Sequence, residues 1–159
     1  MKLKHGSTIF LKLVIMIIGL AVVTLCVVLI PKIVVELTED DPATSVYLAI
    51  VGVVSAIPFF FALYQALRLL SFIDKNEAFS DLSVNALKRI KYSAISMSVI
   101  YATGMPFLFQ IADADDAPGL VLLGMVVVGA PMVIAVFAAV LQKLVENAIE
   151  IKSENDLTV

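Results

Sequence analysis

Seven carboxylates in two short stretches are the residues best placed to do chemistry. Glu36, Glu39, Asp40 and Asp41 form one group. Asp113, Asp115 and Asp116, within DADD, form the other. Carboxylate oxygens at this density can gather a divalent cation. More often such groups are solvated loops that resist entry into a bilayer, and no metal ligand is assigned. Other chemistry is thin. The one histidine is His5, which excludes a histidine-based triad or a His/Cys zinc site on this chain alone. The one cysteine, Cys26, leaves no intramolecular disulfide to form. It lies in an apolar run and reads as a small packed hydrophobe. Leu25 before it is too large for a lipidation site. Neither G-x-x-x-x-G-K-[ST] nor G-x-G-x-x-G occurs. The expectation is a non-enzyme, with no catalytic residue, cofactor or metal.

The elements that carry these residues are apolar. The chain has 159 residues, 61% hydrophobic and 16% charged, with a mean hydropathy of +1.04. Soluble domains hold about 45–50% apolar and about 25% charged residues. Crossing a bilayer takes about 20 apolar residues in a helix. Four stretches qualify, 13–30, 46–67, 93–112 and 120–141, and none contains Asp, Glu, Lys or Arg. They lack the alternation of a barrel strand, so helices are the form that satisfies the backbone. The first run is longer than a signal peptide's apolar core of about 7–15 residues, and no A-x-A-like site follows, so it is expected to remain as an anchor. The fold class is therefore all-α: a polytopic integral membrane protein with four transmembrane helices in a single domain over 1–159.

Lys and Arg set the orientation. Lys2, Lys4 and Lys12 precede the first span. Arg68, Lys75, Lys88, Arg89 and Lys91 lie between the second and third. Lys143 and Lys152 follow the fourth. Lys32 alone falls on the opposite side. Seven acids accompany the ten bases and seven accompany Lys32, so the balance is +3 on one side and −6 on the other, matching the formal −3. Both termini, the loop 68–92 and the tail 142–159 are expected in the cytoplasm of a bacterial cell, with the protein in its plasma membrane. Lys12 can snorkel to the headgroups.

Two amphipathic segments face that side. Ser80 is a good N-cap and Asp81 suits the first turn of a helix leading into the third span. Leu82, Ala86, Leu87 and Ile90 share its apolar face, opposite Asp81, Asn85, Lys88, Arg89 and Lys91. The fourth helix should continue past its span, with Leu141, Leu144, Val145, Ala148 and Ile149 on one stripe. The two faces are expected to pack together or to receive a second protein. The first can also rest on the inner leaflet, its basic residues on anionic headgroups. Within the spans, Pro58, Pro106 and Pro131 are expected to bend their helices. Gln65 and Gln110, near opposite ends, read as interfacial groups or interhelical hydrogen bonders. No acidic, basic or histidine residue lies in a span, which argues against a proton-coupled pump.

The inner-loop stretch IDKNEAFSDLSVNALKRIKY and the tail IKSENDLTV resemble a family of small bacterial membrane proteins designated domain of unknown function 2975. The resemblance covers most of the chain, including the four-span layout. It implies a source among low-GC Gram-positive bacteria and carries over no activity and no catalytic residues. Family members often lie beside a gene for a short Cro/C1-type helix-turn-helix regulator. The resemblance thus implies a membrane partner or sensor acting with such a regulator, besides the lipid bilayer. A small transport or export component, or a resistance factor against membrane-active compounds, is the alternative. Its mark would be a polar cavity lined by Gln65, Ser55, Tyr101 or Thr103. Direct nucleic-acid binding is not expected, and homo-oligomerisation is left open.

The orientation has a direct check. In a Cys26→Ser background, Asp115→Cys should react with a membrane-impermeant maleimide in intact cells. Ser153→Cys should react only after permeabilisation. The reverse pattern would contradict the charge argument.

Overall fold

The computed structural model describes residues 2–38 and 42–157. Four helices account for almost all of them: α1 (Lys2–Thr38), α2 (Pro42–Asp74), α3 (Asp81–Ala114) and α4 (Pro118–Leu157). All four are long and apolar enough to cross a membrane. Their lengths of 37, 33, 34 and 40 residues exceed the apolar runs they contain. The excess lies mostly at the end that carries both termini and the α2–α3 turn, called the basic end below. There α4 runs sixteen residues past Leu141, or about 24 Å at the helical rise.

The helix boundaries follow from local chemistry. Pro42 and Pro118 open α2 and α4. Proline suits the first helical turn, because its missing N–H would have no partner there. The C-terminal ends of α2 and α3 share another device. Asn76 and Asp116 adopt left-handed backbone, with φ of 59° and 51°. Asn and Asp tolerate that region better than other side chains. After α2, the Glu77 N–H donates to the Phe72 carbonyl (2.7 Å) and the Asn76 N–H to that of Ile73 (3.2 Å). After α3, the Ala117 N–H donates to the Ala112 carbonyl (2.9 Å). Carbonyls that would otherwise be orphaned at the helix ends are satisfied within the chain.

The helices pack in chain order. α1 lies on α2, α2 on α3, and α3 on α4, and among the described residues no other pair of helices brings its backbones close together. The arrangement is an open layer whose edges are α1 and α4. At one edge, Gly19 faces the Leu63 side chain and Gly52 faces that of Ile30. At the other, α4 presents Gly124, Pro131, Ala135 and Ala138 as buried residues. Their spacing of seven, four and three is a heptad seam. Small residues there let the two backbones approach closely, the main source of helix association in lipid.

Pro31, Pro58, Pro106 and Pro131 each sit inside a helix that continues past them. A proline removes one ladder hydrogen bond and crowds the preceding turn. Two hydroxyls reach across to such turns. Tyr47 donates to the Thr103 carbonyl (3.1 Å), three residues before Pro106. Ser98 donates to the Val128 carbonyl (2.8 Å), three residues before Pro131. Polar side chains of neighbouring helices commonly support backbone loosened by proline in a membrane. Tyr47 also stacks on Phe107, with ring centroids 4.0 Å apart. The prolines expected as bends therefore also mark where α2 meets α3 and α3 meets α4.

A Cβ on Gly124 would collide with Leu108 and approach the Met105 sulfur to 2.9 Å. Gly124→Val should destabilise the protein by about 1–3 kcal/mol, as overpacking does, in reversible unfolding from detergent micelles. Gly129→Ala, where nothing lies within 4 Å of the added atom, should not destabilise it and can raise stability by up to about 1 kcal/mol, alanine being the better helix former. Tyr47→Phe should cost about 0.6 kcal/mol, the average for an interhelical hydrogen bond in a membrane.

Candidate functional site

The basic end is where the helices leave their apolar spans with side chains exposed. Its anchor points are polar. The Lys12 ammonium pairs with the Asp74 carboxylate at 2.7 Å, tying α1 to the end of α2. Lys91 donates to the Gln142 side-chain oxygen (3.3 Å), and Gln142 donates to Glu146 (3.1 Å), tying α3 to the α4 extension. Both lysines also contribute apolar stems where the headgroup layer would begin. Arg68 lies over the Phe72 ring, 5.5 Å from its centroid, and Lys91 over Tyr92 at 4.9 Å. These are cation–π distances.

The turn between α2 and α3 is held by its own backbone. Ser80 occupies the N-cap position with extended backbone. Its hydroxyl does not cap the helix; it donates to the Glu77 carbonyl (2.6 Å). The fully buried Ser83 donates to the same carbonyl (3.1 Å). One acceptor thereby fixes both the turn and the first turn of α3.

The expected interaction residues divide by location. Ala86 and Leu87 are buried and Ile90 is half-buried, so most of that α3 face packs against the protein's own helices. Leu82 remains exposed. On α4, Val145, Ala148 and Ile149 are half-buried. Since only α3 brings its backbone close to α4 among the described residues, these three extend the seam begun at Gly124. Leu141 and Leu144 are exposed. The single expected stripe is thus two surfaces, one packed and one open. Phe137, Leu144 and Ile151, seven residues apart, are 65%, 58% and 65% exposed on that open side. Ile151 was not anticipated, although heptad spacing from Leu144 points to it. Phe79 was also missed. It is 61% exposed in the turn, and an aromatic residue between polar neighbours in NEAFSD was the available signal.

Within the layer, Gln65 is 1% exposed and neither atom of its amide has a hydrogen-bond partner. It makes no interhelical hydrogen bond, one of the two roles the sequence had suggested for it. Gln110 is exposed. Ser55 donates to the Gly52 carbonyl of its own helix and, with Tyr101, lines a groove of about 300 Å³ formed by α1, α2 and α3. Thr103 donates within its own helix to the carbonyl of Ile100. Gln65 and Thr103 do not line that groove, so the four residues do not form one polar cavity there. At the opposite end, Asp113, Asp115 and Asp116 are exposed. Glu39, Asp40 and Asp41 lie outside the described residues. Among the described residues no three His, Cys, Asp or Glu side chains gather as metal ligands.

Known proteins place this architecture. The chain is 56% identical over 156 residues to the uncharacterized membrane protein YoaS of Bacillus subtilis (strain 168), covering 96% of this chain and 98% of that protein. No solved structure matches it. The family described as Protein of unknown function (DUF2975) matches residues 34–159, which hold α2, α3 and α4 whole. With four helices able to span a bilayer, this is a membrane protein and a member of that family.

Proposed function

We propose that the protein is a non-enzymatic membrane partner that holds, or senses through, a small cytoplasmic helix-turn-helix regulator. The observation that carries this reading is the open stripe on α4. Phe137 lies within the apolar span, where lipid covers it. Leu144 and Ile151 continue the same face beyond that span, still 58% and 65% exposed. Exposed apolar side chains outside the bilayer gain free energy when a partner covers them. A helix that binds such a stripe would read it at seven-residue spacing. Phe79 and Leu82 add exposed apolar surface at the same end of the molecule.

The charge balance supports the same placement. Ten of the eleven Lys and Arg residues flank the basic end in the sequence, which by the positive-inside tendency faces the cytoplasm. The location that follows is a bacterial plasma membrane, with both termini inside the cell.

The test uses a short Cro/C1-type helix-turn-helix regulator of the kind often encoded beside family members, fused to a fluorescent reporter. The reporter should sit at the membrane when the wild-type protein is present. Leu144→Asp and Ile151→Asp should each release it to the cytoplasm, with membrane levels of the variant proteins unchanged. A reporter distribution indifferent to the protein and to both substitutions would overturn the reading.

A further inference from the structure

We propose that the groove between α2 and α3 binds one anionic phospholipid from the leaflet bordering the basic end, with an acyl chain in the groove and the phosphate on Arg89. The groove has a volume of about 550 Å³ and is open to its surroundings. Val54, Pro58 and Phe61 of α2 and Ile100 of α3 form its apolar walls. Arg89 and Tyr92 stand at one end. Along α3 the lining runs eleven residues from Arg89 to Ile100, about 16 Å. That is half of a hydrocarbon core about 30 Å thick, the depth of one leaflet. A chain entering beside Arg89 therefore reaches the bilayer midplane where the groove ends.

Charge selects the headgroup. Arg89 is exposed and has no ion-pair or hydrogen-bond partner among the described residues, whereas Lys12 and Lys91 are engaged. No Asp or Glu lines the groove. A free guanidinium offers a planar fork of donors that matches a phosphate. The exposed Tyr92 ring, one turn further along α3, suits the headgroup boundary. A basic pocket between membrane helices on this side is the recognised form of an anionic-lipid site. The polar lining of the groove, Arg89, Tyr92, Ser93 and Ser96, comes from α3 alone, and its far end, at Val54 and Ile100, is apolar.

The proposal is tested by native mass spectrometry of the full chain, delipidated and titrated with phosphatidylglycerol or phosphatidylcholine. The wild type should retain a single phosphatidylglycerol in preference to phosphatidylcholine. Arg89→Gln should weaken that retention about tenfold or more, the loss expected for one charge-assisted contact. Arg89→Lys should fall between, since it keeps the charge without the fork. Ser96→Phe, which fills the groove, should reduce retention of both lipids. Lys88→Gln, a neighbouring base that does not line the groove, should behave as wild type. Equal retention of the two lipids by the wild type would overturn the proposal. So would an Arg89→Gln protein matching wild type, or a Lys88→Gln protein losing as much as Arg89→Gln. If Arg89→Gln does not yield a monodisperse protein, Arg89→Lys and Ser96→Phe decide the question by the same measure.

Discussion

Close approach between helices is the constraint on which this structure depends. Inside a bilayer, burying a leucine against another helix gains little over burying it in lipid, so association has to come from tight van der Waals contact and hydrogen bonding. α3 and α4 meet this condition through Gly124, Pro131, Ala135 and Ala138. A Cβ on Gly124 would displace the ends of the Leu108 and Met105 side chains. The same seam continues past the membrane through Gln142, Val145 and Ile149, where Lys91 takes hold of Gln142. The α3–α4 pair is thus continuous from inside the bilayer to the basic end. The exposed side of α4 is presented on that pair.

The prolines work with this seam. Each loosens a turn of helix and leaves carbonyls in need of donors. The carbonyls that lose a ladder donor are those four residues earlier, Val127 and Ala102; Ser98 and Tyr47 donate to the next carbonyls, Val128 and Thr103, in the same loosened turns. The turn before each of these prolines is thereby tied to a neighbouring helix. Among the described residues, the hydroxyl of Thr24 in the apolar part of α1 donates within its own helix, to the Leu20 carbonyl; α1 is seated by Gly19, Gly52 and the Lys12–Asp74 pair. The resulting layer is open. Its faces carry apolar grooves between helices, including the one that ends at Arg89.

Much of this was legible in the sequence. Four apolar runs free of charge dictate four membrane helices, and polar KNEAFS dictates the turn between the second and third. The periodicity of LQKLVENAIEIK announced one to three further turns of α4 and a mobile tail from Ser153, but the helix runs on through Ser153 to Leu157, where no periodicity marks it. Which side of that extension is covered was not readable. A stripe from Leu141 to Ile149 looks like one surface on a helical wheel. Only the position of α3 separates Val145 and Ile149 from Leu144. The order of the layer was illegible for a related reason. In a membrane, a lipid-facing side and a helix-facing side can have the same composition, so periodicity loses its meaning. Small residues mark contacts, yet Gly129 has open space around it while Gly124 does not. Gln65 was misread because a lone amide in an apolar helix carries no sign of its burial.

The openness of the layer is the claim most exposed to a direct measurement. Leu20 on α1 and Phe137 on α4 are exposed, at 68% and 65%. The helix contacts place them at similar depth. Nitroxide labels at Leu20→Cys and Phe137→Cys in a Cys26→Ser background would report the separation of the two edges by electron paramagnetic resonance in nanodiscs. An open layer predicts a separation beyond about 20 Å, since helices in direct contact lie about 8–10 Å apart and two others intervene. A separation near about 10 Å would mean that α1 and α4 touch, and would contradict the account.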